Sequence, residues 1–161
     1  MLKTTIFLIL VFLVFGVGYY FIGHTVSASS LVGLDKNGNG VWDDVEEKII
    51  QKFSYSNNIK NAMFQGARSL QKAVVEPNMT EKKAMEILAE EEASQGCLNQ
   101  VDPEFMEHDP LLEEWIVNTK ERTKAYIHYN YLLSGKMGIG IENHKYCDFV
   151  AYGRAILRNP N

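Results

Sequence analysis

The chain has 161 residues, a net charge of −4 and an ordinary 46% of hydrophobic side chains. That is enough for one modest core and argues against disorder. A mildly acidic surface gives nucleic acid no basic patch to bind, so no nucleic-acid partner is expected, and a cation suits it better.

Lys3 is the one charged residue before Asp35, and an uncharged apolar stretch runs from Ile6 to Ile22. Val26 and Ala28 then stand at the spacing of small residues ahead of a signal-peptidase cut. Two readings of residues 1–28 follow, a cleaved signal peptide or a retained membrane anchor. The apolar run is long for the first and short for the second. No cysteine lies near the cut, which excludes a lipoprotein anchor there. Both readings keep Lys3 on the cytoplasmic side and put residues 29–161 outside, in a bacterial periplasm or beyond it. Membrane contact is expected only through residues 1–23, at the inner membrane, if the leader stays on.

The segment Asp35-Lys36-Asn37-Gly38-Asn39-Gly40-Val41-Trp42-Asp43-Asp44-Val45-Glu46 fits the calcium-loop pattern D-x-[DN]-x-[DN]-G-x5-E at every specified place. Calcium is a hard cation that takes six to eight oxygens. Asp35 would give a carboxylate, Asn37 and Asn39 amide oxygens, Val41 its backbone carbonyl, and Asp43 a direct or water-mediated contact. Glu46 would close the shell with two oxygens. Gly40 permits the sharp turn, and Trp42 would tie the loop to a core or a partner loop. With three carboxylates and two neutral amides, the expected affinity is on the order of micromolar to millimolar, which suits a constitutively filled structural ion. The alternative is an Asn/Gly-rich turn capped by acids, without an ion.

Asp43, Asp44, Glu46 and Glu47 crowd the start of the next helix, where negative charge is favoured, and Val45, Ile49, Ile50 and Phe53 are expected on its buried face. Ile59, Met63, Ala67, Leu70 and Val74 predict a second helix that Pro77 ends. Asn78 with Glu81 resembles a capping box for a third. That helix carries Ala84, Ile87 and Leu88, then an acidic run at 90–92 read as a solvated face, with a second cation site as the alternative. Asn78-Met79-Thr80 is also a glycosylation sequon, meaningful only in a host that uses such sites.

Glu104 and His108 fall in an expected loop between Pro103 and Pro110. Asp109 and Pro110 would open one long helix, with Asp109 as N-cap. Its stripe would be Leu112, Trp115, Ile116, Thr119, Thr123, Tyr126, Ile127, Asn130 and Leu133, and Gly135 would end it. The glycine-rich 135–140 segment fails P-loop spacing and reads as a crossing to Cys147. A short last helix is expected within 148–157.

In an oxidising compartment Cys97 and Cys147 are expected to form a disulfide, with two separate buried thiols as the alternative. Neither has a second cysteine nearby for a metal. His24, His108, His128 and His144 show no ligand-pair or catalytic spacing, so no catalytic residue is named. The aromatic stripe at Tyr126, Tyr129 and Tyr131 reads as core.

The loop with its exiting helix resembles units of dockerin-type and other secreted bacterial EF-hand-like proteins. The stretches 31–46 and 118–126 look like a group of uncharacterised bacterial exported proteins. The resemblance implies export and calcium binding and no particular activity. One loop rather than two sets the chain apart from dockerins.

The expected fold is all-α: a small bundle of four or five helices preceded by a single EF-hand-type loop, plus the N-terminal signal or anchor helix. The expected function is an exported calcium-binding protein with an interaction or envelope role and an unidentified protein partner. The alternatives are a small secreted hydrolase stabilised by calcium and a membrane-anchored structural subunit.

Overall fold

Hydroxyl side chains set where the three longest helices begin. The computed structural model describes residues 31–136, 138 and 146–149, and among these no residue is in a strand. After the loop come α1 (Asp43–Lys52), α2 (Asn57–Val75), α3 (Glu81–Val101), the single turn α4 (Phe105–His108), α5 (Pro110–Ile116) and α6 (Lys120–Leu133). Ser56 caps α2, Thr80 caps α3 and Thr119 caps α6, each hydroxyl accepting the N–H three residues on at 3.2–3.3 Å. The helical class is as expected. The leader, His24, His144, the 139–145 crossing and the tail beyond Phe149 lie outside the described residues. Among the described residues, no helix is long and apolar enough to cross a membrane.

Several boundaries differ from expectation. Thr80, not Asn78, caps α3; the Asn78 N–H goes to Glu76 Oε1 at 3.3 Å. α3 continues to Val101, so the 90–92 acids sit in its middle. The expected long helix is two, broken at Val117–Thr119. Val117 leaves helical geometry, Asn118 Nδ2 caps the Trp115 carbonyl at 2.8 Å, and Thr119 starts the next helix. Short polar side chains that bond backbone locally outcompete continuation there. Asp109 makes no cap bond, because α4 runs almost directly into α5 and leaves it in helical conformation. The stretch between Pro103 and Pro110 is thus largely helical rather than loop.

α2 is the central helix and packs on α3, α6, α5 and α1. Its buried face is the expected one, with Ile59, Met63, Ala67, Leu70 and Val74 all covered. A Cβ on Gly66 would lie 2.7 Å from Leu112 Cδ1, so that glycine lets α5 approach α2 closely. Val45 and Ile49 on α1 and Phe53 at its C-cap have no exposed surface, whereas Ile50 is 45% exposed. One residue turns a helix by about 100°, so the neighbour of Ile49 cannot share a narrow stripe. For the same reason Ile127 and Tyr131 on α6 face outward and Tyr129 is its buried aromatic.

The Cys97–Cys147 disulfide joins α3 to the 146–149 segment, across 50 residues of sequence. That segment lies along α2. Gln65 Nε2 donates to the Tyr146 carbonyl at 2.8 Å, Gln65 Oε1 accepts the Asp148 N–H at 3.0 Å, and Arg68 pairs with Asp148 at 2.6 Å.

Candidate metal loop and a carboxylate-lined cavity

The loop 35–46 winds around the side chain of its first residue. Asp35 Oδ1 accepts the N–H groups of Gly38 and Asn39 at 2.9 and 3.3 Å, and Oδ2 accepts that of Gly40 at 2.9 Å. Such tight winding needs left-handed backbone, which Gly38 (φ 69°) and Gly40 (φ 82°) supply without the Cβ clash other residues meet. Asn37 Oδ1 takes the Asn39 N–H at 3.0 Å, and Asn39 Oδ1 takes the Val41 N–H at 2.8 Å. Asn37 Nδ2 donates to Glu46 Oε2 at 2.9 Å, which draws the last residue of the motif against the third.

Asp43 is placed differently. Its Oδ1 accepts the Lys36 N–H at 3.0 Å, and its Oδ2 lies 3.5 Å from Lys36 Nζ. Among the described residues, no three His, Cys, Asp or Glu side chains gather into a metal-holding group. Within the loop this has a plain cause. Two of the expected donors are asparagines, a third is a backbone carbonyl, and Asp43 is engaged with Lys36. The donors that remain, Asp35, Asn37, Asn39 and Glu46 with the Val41 carbonyl, are all oxygens on a wrapped chain. Such a donor set fits calcium rather than a softer ion.

The loop is fastened from outside. Val41 and Trp42 are buried at its exit. Gln71 of α2 accepts the Trp42 N–H at 3.1 Å and donates to the Gly40 carbonyl at 2.7 Å. The Arg122 guanidinium of α6 lies over the Trp42 ring, 3.9 Å from its centroid. The same guanidinium bonds the Leu31 carbonyl at 3.0 Å and Asn118 Oδ1 at 2.9 Å. Burial pulls the Arg122 pKa down, and the charge of Asp44 opposes that. Gly33 passes close beneath the indole; a Cβ there would meet Trp42 at 2.5 Å.

A second polar site lies between α2, α3, α5 and α6. It is a cavity of about 90 Å³ walled by Ser69, Glu91, Ser94, Asp109, Glu113 and Tyr126, among others. Of the acidic run at 90–92, Glu90 is exposed as expected and pairs with Lys72, whereas Glu91 and Glu92 are partly buried. Burial pushes the Glu91 carboxyl up to about 7; the Tyr129 hydroxyl, donating to its Oε2 at 2.8 Å, works against this, and Asp109, Glu113 and Glu90 add to it. Oε1 of Glu91 is covered and without a hydrogen-bond partner. Burial likewise raises Asp109, and Tyr126 is pushed up to about 12, by burial first and then by Glu113.

The histidines divide. His108 is not a surface residue: its Nδ1 meets Asp102 Oδ2 at 2.6 Å, both side chains are buried, and its ring packs edge-on against Phe53 at 4.8 Å. It fastens the end of α3 to α1. His128 is exposed on α6. Neither borders the Glu91 cavity.

Sequence reasoning singled out the loop 35–46 and missed Gln71, Arg122 and Glu91. Gln71 carries no sequence signal, being one more polar residue beside a helical stripe. Arg122 lies inside the 118–126 stretch that looked like exported proteins, and that was its only trace. No family model, no curated protein and no solved structure matches the chain.

Proposed function

We propose that this chain is an exported calcium-binding protein with one EF-hand-type loop, whose ion staples the front of a helical domain that serves an interaction or envelope role. The observation that carries the reading is the winding of the loop around Asp35, which sets Asn37, Asn39 and Glu46 side by side. Bound calcium would supply the positive charge that offsets the repulsion of these oxygens. The chain's own residues do the rest. Asp35 gathers three backbone amides, the glycines make the turn, and buried Val41 and Trp42 anchor the exit to the core. Export is supported by the leader pattern and by the Cys97–Cys147 disulfide, a bond that persists in oxidising compartments.

The test is thermal melting with calcium and with chelator. Calcium at about a hundred times its Kd is expected to stabilise the parent by about 2.7 kcal/mol, or roughly 5–10 °C for a chain of this size. The double variant Asp35→Ala, Glu46→Ala is expected to melt at one temperature in both conditions. A parent that ignores calcium, or a double variant that responds as the parent does, overturns the reading.

A further inference from the structure

A calcium loop of this kind must aim a backbone carbonyl at the ion, and backbone has no side-chain rotamer to turn. The carbonyl in question belongs to Val41. Its orientation is fixed by the two peptide groups on either side of the Val41 Cα, and both are held by one side chain. Gln71 Nε2 donates to the Gly40 carbonyl at 2.7 Å, and Gln71 Oε1 accepts the Trp42 N–H at 3.1 Å.

Peptide groups are planar, and the described chain has no cis bond. In a trans peptide the C=O and N–H point in opposite directions. The Trp42 N–H points at Gln71, so the Val41 C=O in the same plane points away from it. The Gly40 C=O also points at Gln71, so the Val41 N–H points away as well. That N–H ends on Asn39 Oδ1 at 2.8 Å, inside the loop. The Val41 carbonyl is therefore turned to the same side as the Asn39 oxygen, where the other donors gather.

We infer that Gln71 is the positioning residue of the calcium loop, setting the Val41 carbonyl directly and the Asn39 oxygen through the Val41 N–H. The inference rests on the calcium reading of the loop. Glutamine suits the role because a primary amide has both a donor and an acceptor, as the edge of a neighbouring peptide would. Gln71 is itself only 5% exposed, so water does not compete for either bond. It also answers how one loop keeps its shape without a second loop beside it: α2 presents the missing peptide edge as a side chain.

The experiment is isothermal titration of the full chain in detergent with calcium chloride, alongside melting in chelator. Groups that orient metal ligands without touching the metal typically contribute 10–100-fold to affinity. Gln71→Met, which removes both bonds at similar shape, is expected to weaken calcium binding about tenfold or more. Gln71→Asn keeps the amide but is one methylene shorter, so it cannot hold both peptide groups at once, and is expected to fall between Met and the parent. Ser69→Ala, which removes a buried 3.0 Å bond within α2 away from the loop, is the stability control and is expected to bind as the parent does.

Parent-like affinity in Gln71→Met overturns the inference. If that variant does not fold, parent-like affinity in Gln71→Asn overturns it. An equal loss in Ser69→Ala also overturns it, since general stability would then explain the effect. A parent that takes up no calcium at all fails the loop reading first, and the inference falls with it.

Discussion

Burial of Glu91 ties folding to pH. Unfolded, its carboxyl titrates near 4.5; folded, it holds its proton to about 7. A group whose pKa is raised by folding gives its stabilisation in full below the unfolded value and loses it as pH rises through the folded one. The contribution of Glu91 is thus present below about 4.5 and gone above about 7, a difference on the order of 3 kcal/mol. Asp109, raised by the same burial, acts with the same sign. Glu91→Gln is expected to flatten the fall in melting temperature between pH 5 and pH 8, which thermal scans at the two values would show. This residue was illegible in the sequence for a geometric reason. Three consecutive acids on a helix sweep about 200° of its circumference. Once α3 is packed against both α2 and α6, part of the run has to be covered, and Glu91 and Glu92 each have a buried carboxylate oxygen. Nothing in the run itself says which part. By contrast the winding of the loop was legible because its pattern is local, a twelve-residue stretch whose side chains bond its own backbone.

At the scale of elements, the junction of α5 and α6 holds the main difference from expectation. The periodic residues from Leu112 to Leu133 read as a single helix because no glycine or proline interrupts them. The interruption comes from side chains that bond backbone: Asn118 on the Trp115 carbonyl, and Thr119 on the N–H of Arg122. Period alone does not reveal such a break, since a cap can restart a helix in nearly the same phase. Thr119→Ala is expected to cost about 1 kcal/mol, lowering the melting temperature by roughly 2–4 °C. The break matters to the loop, because the Arg122 Nη1 also reaches the Ile116 carbonyl left free at the end of α5. Helix existence and the α2 stripe were readable from spacing. Ile50 and Ile127 were not, because a sequence gives the period of a face and leaves its width to the neighbours.

Across the whole molecule, the two stretches that looked like exported proteins, 31–46 and 118–126, come together: Arg122 bonds the Leu31 carbonyl and covers Trp42. The disulfide holds the 146–149 segment to α3. Closing a loop of 50 residues is worth about 4 kcal/mol in the chain-entropy model. Reduction is therefore expected to lower the melting temperature by roughly 8–16 °C. Scans with and without a thiol reductant check this, and the Cys97→Ser, Cys147→Ser variant should melt low in both. The pairing was readable because the chain has two cysteines only; where the second would dock, along Gln65 and Arg68, was not.

The reach of the Arg122 contact has a consequence for how the chain comes to be. Its guanidinium meets Leu31 across 91 residues, and Gln71 meets the loop across 29 and 31. A ribosome delivers the chain from its N-terminus, so the loop emerges complete in its oxygens long before its fastenings exist. α2 arrives first and supplies the amide; α6 comes last and lays the wedge over the indole. A nascent chain halted before Lys120 would carry all of residues 35–46 and still lack the lid on Trp42.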